Sequence, residues 1–256
     1  MSVSEIRVES GHDGAVRTIV LDRPAKRNAL TPGMFDYLCE LFTTEPSGRE
    51  QVTLLRAEGP VFCAGVDLSE RIQNGWPQES PLVRLCEAMR NYPRPIVAAL
   101  QGDAIAGGTM MTLHADLIVA AAGARVAMPL AQLGIAPPYV LTARTVARCG
   151  PALGREMVLV GYPIPVERLL AANAINAVYP REEFAGAVER LVDRLARNSP
   201  LSLRAVKGSL AALDASHVDD PHVAENALVR AALDSRDAKE GMAARLERRE
   251  PNFSGS

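Results

Sequence analysis

Aromatic residues make up only 4% of the 256 positions, and Trp76 is the single tryptophan. The net charge is just −2, with basic and acidic residues nearly balanced. Without a basic excess or aromatics interleaved with it, the chain lacks the electrostatic footprint of a nucleic-acid or anionic-membrane binder. Cysteine is scarce too: Cys39, Cys63, Cys86 and Cys149 form no C-x-x-C pair and no metal-ligand spacing. That excludes a zinc ribbon and a disulfide framework, and predicts reduced, mostly buried thiols and no metal. No apolar run is long enough to span a bilayer, and the polar, acidic start MSVSEIRVES is unlike a secretory signal. The expected location is the cytoplasm. What remains is a chain 48% hydrophobic and 23% charged, ample for one core-bearing domain.

The stretch PIVAALQGDAIAGGTMMTLHADLIVA, residues 95–120, organises the rest. Its run Ile96–Leu100 is short, partly β-branched and bounded by Pro95 and Gly102, which predicts a buried strand. A loop over 101–108, a helix over 109–115 and a second strand over 116–120 follow. Gly107 and Gly108 open the helix, where backbone N–H groups lack intrahelical partners and the dipole is positive. Such an end suits a phosphate or an oxyanion. Gly102-x-x-x-x-Gly107-Gly108-Thr109 has phosphate-loop spacing, but Gly108 stands where the lysine should be, which excludes nucleotide hydrolysis. On its own the glycine pair is equally consistent with a helix packed closely on a strand.

Around this unit the pattern predicts a hairpin over 6–9 and 15–21, and a helix over 31–43 started by Thr31-Pro32. A strand over 52–56 and a helix over 82–91 come next. Then follow a short strand at 124–127, an apolar loop over 128–138, helices at 140–148 and 151–161, and a strand over 174–178. From 181 onward only helices are expected, at about 181–197, 200–213, 223–234 and 236–247. Alternating elements followed by helices alone predict an α/β core with a helical tail. On its residues alone, the loop Asp22–Leu30 reads as a solvated basic loop. Trp76, in the polar stretch 69–81, either closes a pocket or anchors its loop.

Four pieces occur in register: LDRPAKRNAL at 21–30, GPVFCAGVDL at 59–68, G-x-A-x-x-G-G at 102–108, and SRDAKEGMAARLERREPNF at 235–253. Together they resemble the crotonase family, the enoyl-CoA hydratases and isomerases, over nearly the whole chain. The resemblance implies a ββα superhelix core in residues 1–195. It also implies a helical region, 196–256, that completes the acyl-CoA site and assembles a homotrimer or a dimer of trimers. Ala25, Lys26, Arg27 and Leu30 would border the CoA moiety, and Ala64, Gly65, Asp67 and Leu68 would line the first active-site loop. The substrate would be an acyl-CoA thioester, with CoA entering as part of it and no separate cofactor.

The chemistry this implies is stabilisation of a thioester enolate by two backbone N–H groups, from Val66 and Gly107, the latter small enough for the oxygen to approach. Hydration in the family also uses two glutamates, at positions matching Met110 and Leu130 here, so ordinary hydration is not expected. Asp103 and Tyr139 are the substitute acid–base candidates. Glu70 and Glu79 lie near the variable region. His114 reads as structural, and His12, His217 and His222 as surface residues. Three readings follow: an acyl-CoA enzyme with an unconventional acid or base, a decarboxylase of a malonyl-type acyl-CoA, and a non-catalytic binder of long-chain acyl-CoA packing its chain on Met110 and Leu130.

Overall fold

The computed structural model describes residues 4–46, 48–69, 79–216 and 230–254. Glu70, Trp76, His217, His222 and most of the helix expected over 223–234 lie outside the described residues. Two sheets organise the described residues. The larger has six strands, in the order β1 (Ile6–Gly11), β2 (Val16–Leu21), β3 (Val52–Ala57), β5 (Ile96–Leu100), β7 (Leu117–Ala121) and β10 (Ala177–Tyr179). β1 and β2 form the antiparallel hairpin, and the remaining neighbours are parallel. The smaller sheet has four strands: β4 (Val61–Cys63), β6 (Asp103–Ile105), β8 (Arg125–Ala127) and β9 (Ile164–Pro165).

β5 shows why its sequence is continuously apolar. All five of its residues are buried. Ile96, Ala98 and Leu100 face the main core, while Val97 and Ala99 face a second core containing Val188 and Val192. With both faces covered, the alternation expected of a half-exposed strand disappears. The main core is filled from above by α1 (Pro32–Thr43) and α2 (Pro81–Asn91), and the second core by α6 (Arg181–Ala196).

After β5 the chain crosses to the other sheet. A Cβ at Gly102 would stand 2.0 Å from the Pro60 carbonyl oxygen, so only glycine lets the two strand ends approach. β6 then runs parallel to β4 and leads into α3 (Gly107–Leu113). Residues 101–108 are therefore not the plain loop expected: they hold a strand, and the helix begins two residues earlier, at Gly107. α4 (Tyr139–Leu159) is broken at Gly150 (φ 76°, ψ 163°) into the two helices read from the sequence. α5 (Val166–Ala171), α7 (Pro200–Ser216) and α8 (Arg236–Glu247) complete the described helices.

Candidate active site

A cavity of about 1160 Å³ lies where the ends of β4 and β6 meet α2, α3, α4 and α8. Its walls begin with the loop after β2. Pro24–Lys26 form a 3₁₀ turn, and Arg27 (φ 52°) and Asn28 (φ 54°) reverse the chain in the left-handed region. Ala25, Lys26 and Arg27 line the cavity. Leu30 does not line it: it is wholly buried in the core and forms a parallel bridge with Val66.

The second wall is the turn after β4. Gly65 (φ 88°) is pressed against β6, where a Cβ would lie 2.9 Å from the Ile105 carbonyl oxygen. Its flanking residues Ala64, Val66, Asp67 and Leu68 line the cavity, whereas Gly65 itself forms the support behind them. The Asp67 carboxylate accepts from Arg23 Nη1 at 2.7 Å and from the Ser69 hydroxyl. Burial pushes this carboxyl up, but the bonds from Ser69 and Arg23 outweigh it and hold it below the ordinary range. Asp67 is thus an ionised strut rather than a proton donor.

The third wall is the start of α3. Ala106, its N-cap, adopts φ 49° and ψ −111°, a conformation an L-residue rarely takes and one that costs of order 1–3 kcal/mol. Gly107 follows, lining the cavity next to Val66: a Cβ built on Gly107 would lie 3.6 Å from the Val66 nitrogen. Among the described residues neither the Val66 nor the Gly107 N–H donates a hydrogen bond to protein. Met110 and Leu130 line the cavity beyond them, and Tyr139 contributes from the first position of α4.

Asp103, an acid–base candidate by its sequence position, is not among the lining residues. It sits on β6, where its carboxylate accepts from the Arg125 backbone N–H at 2.9 Å and from Arg125 Nη2 at 2.8 Å, joining β6 to β8. A partner on the neighbouring strand, invisible to local sequence, decides its role. His114 is structural in its contacts: it is buried at the end of α3 and its Nδ1 lies 2.7 Å from the Met110 carbonyl oxygen. That oxygen only accepts, so Nδ1 carries the proton. Burial pulls the ring down to about 3, keeping it neutral. Burial pushes the Cys63 thiol, beneath the Gly65 turn, up to about 12.

Several lining residues escaped the sequence reading: Glu87 on α2, and Arg230, Leu233, Arg245, Leu246 and Arg248 near or on α8. The helical spacing of Val83 and Glu87 could have shown that they share a face. Nothing local could have shown that the last helix reaches the first loop. The carboxylates lining the cavity, among the described residues, are Asp67, Glu79 and Glu87. The same residues include no grouping of His, Cys, Asp and Glu able to hold a metal ion, and no helix long and apolar enough to cross a membrane.

Known proteins share this fold and much of this sequence. The chain is 29% identical to the 2,3-dehydroadipyl-CoA hydratase of Escherichia coli K12 over 94% of its own length and 95% of the relative's. It is 28% identical to the methylmalonyl-CoA decarboxylase of the same organism, again over 94% and 95%. A solved structure of methylmalonyl-CoA decarboxylase, in complex with 2-nitronate-propionyl-CoA, superposes with a TM-score of 0.89 at 26% identity, covering 100% of both chains. The family model matching residues 11–256 is that of enoyl-CoA hydratase/isomerase, and with the crotonase fold beside it, the chain belongs to that family of enzymes.

Proposed function

We propose that this protein decarboxylates a malonyl-type acyl-CoA, holding the thioester oxygen between the N–H groups of Val66 and Gly107. The observation that carries the reading is the wall beside those amides. Met110 and Leu130 present apolar side chains there, and the nearby carboxylate on the adjoining turn, Asp67, is ion-paired to Arg23. Two-carboxylate hydration has no pair of acids at these positions. Decarboxylation needs none to start. The bond between the α-carbon and the carboxylate breaks, carbon dioxide leaves, and the electron pair becomes the enolate whose oxygen the two amides receive. The α-carbon then takes a proton, for which Tyr139 is the candidate donor. An apolar wall destabilises the departing carboxylate more than the neutral product. Each amide donor contributes roughly 3–4 kcal/mol, by analogy with oxyanion holes measured in other enzymes.

The CoA moiety would run past Ala25, Lys26 and Arg27, with Arg245 and Arg248 opposite. The reaction so written draws on no cofactor beyond the CoA of the substrate, and a cytoplasmic setting would supply it. Exposed Leu201, Val206, Leu210 and Leu213 on α7 support assembly into a trimer or a dimer of trimers, which light scattering after gel filtration would measure.

The test sets malonyl-CoA and methylmalonyl-CoA against crotonyl-CoA. Carbon dioxide release with no hydration of crotonyl-CoA is expected. Hydration at ordinary enzyme rates of roughly 1–10³ per second would overturn the reading. The apolar wall also favours a second reading, an acyl-CoA carrier without turnover. Tight binding of palmitoyl-CoA with both reactions silent would establish that instead.

A further inference from the structure

Val66 owes the direction of its N–H to Leu30. The Leu30 N–H donates to the Gly65 carbonyl at 2.7 Å, and the Asp67 N–H donates to the Leu30 carbonyl at 2.9 Å. In a planar trans peptide the carbonyl and the N–H point in opposite directions, and the Gly65 carbonyl and the Val66 N–H share one peptide. Fixing the groups on either side of Val66 against Leu30 therefore sends the Val66 N–H the opposite way, into the cavity.

What fixes Leu30 lies two residues earlier. Asn28 is wholly buried, at a left-handed φ of 54° that asparagine tolerates better than most residues. Its Oδ1 accepts from the Arg23 N–H at 2.8 Å, and its Nδ2 donates to the carbonyls of Glu58 at 2.9 Å and Val61 at 2.8 Å. Its own carbonyl accepts from the Cys63 thiol at 3.2 Å, and that sulfur in turn accepts the Gly65 N–H at 3.4 Å. The side chain thus closes the 22–30 loop on itself and ties it to both ends of the turn leading into β4. Asn28 is not among the cavity-lining residues.

We infer that Asn28 is a positioning residue for the oxyanion-binding amide: its carboxamide sets the loop that aims the Val66 N–H at the thioester oxygen. The inference rests on the proposed role of the Val66–Gly107 pair, and the experiment separates the two. Butyryl-CoA labelled with ¹³C at the thioester carbonyl is bound to the protein and its carbonyl stretch followed by difference infrared spectroscopy. In the wild type the band should move to lower frequency than in free butyryl-CoA. Asn28→Gly keeps the left-handed backbone and removes all three side-chain bonds. In this variant the band should return most of the way to the free position. With a decarboxylation substrate, kcat should fall on the order of 10²-fold in the folded variant.

A folded Asn28→Gly variant with the wild-type band position overturns the positioning role. An unshifted band in the wild type overturns the amide pair itself. Should the glycine variant fail to fold, Asn28→Asp, of the same size and with the same tolerance of positive φ, takes its place. Buried against two carbonyl oxygens its carboxyl stays protonated, so it keeps the Arg23 bond and at most one of the donations to Glu58 and Val61, and should show part of the loss.

Discussion

A methyl group added at Gly107 would meet nothing nearer than 3.5 Å, whereas one at Gly108 would stand 2.5 Å from the Cys63 carbonyl oxygen. Adjacent glycines of one motif therefore answer to different demands. Gly108→Ala is expected to cost about 1–3 kcal/mol of stability as β4 is forced off α3, read as a lower urea midpoint. Gly107→Ala should unfold at the wild-type midpoint. Its methyl would nevertheless occupy space within 3.6 Å of the Val66 nitrogen, where the thioester oxygen is proposed to sit. Decarboxylation should fall on the order of 10²-fold in a protein that melts normally. An activity loss matched by a stability loss would place the constraint in packing instead. At the same scale, Met110→Glu with Leu130→Glu should introduce crotonyl-CoA hydration into a protein otherwise silent in it, measured by loss of enoyl absorbance.

Between elements, one ion pair bears on how the tail meets the core. Lys207 of α7 donates to both oxygens of Asp116, at 2.7 and 2.8 Å, and the same carboxylate caps the first N–H of β5 at 2.7 Å. Both groups are largely shielded from water, Lys207 at 5% side-chain exposure. Lys207→Met should cost about 3 kcal/mol by leaving Asp116 without its counter-charge, and Lys207→Met with Asp116→Asn should recover part of it; urea titrations decide both. Elements of this size were legible from the sequence because apolar period and punctuation coincide, as at Thr31-Pro32 or Pro95. β4 and β6 were not, since each is three residues inside a glycine-bearing motif that reads as a loop, and they pair with each other across some forty residues. The same distance hid the true partner of Asp103 and the anchoring role of Asn28. The turn at Gly65 and the helix start at Gly107-Gly108 were readable because positive φ at Gly65 and close approach at Gly108 leave a residue-type mark, while the arginines from the last helix leave none near the first loop.

Across the whole molecule, acid should act through His114. In the unfolded chain this ring titrates at its ordinary 6.5, but in the fold burial holds it near 3. As pH falls below 6.5 the unfolded state takes the proton first, so stability declines, by up to about 1.4 kcal/mol per pH unit, until the folded value is reached. Above pH 6.5 the residue contributes no slope. His114→Gln should flatten the pH dependence of the urea midpoint between pH 6 and 4, and an unchanged slope would assign acid sensitivity to other groups. The cavity spans the chain more widely than any core cluster, from Ala25 in its first tenth to Arg248 near its end. Residues up to Tyr179 contain every described strand of both sheets and α3. The pocket has to wait for α8. A chain cut before residue 230 would lack Arg230, Leu233, Arg245, Leu246 and Arg248 from the cavity wall while keeping both described sheets, so assembling the sheets and closing the pocket are separable events.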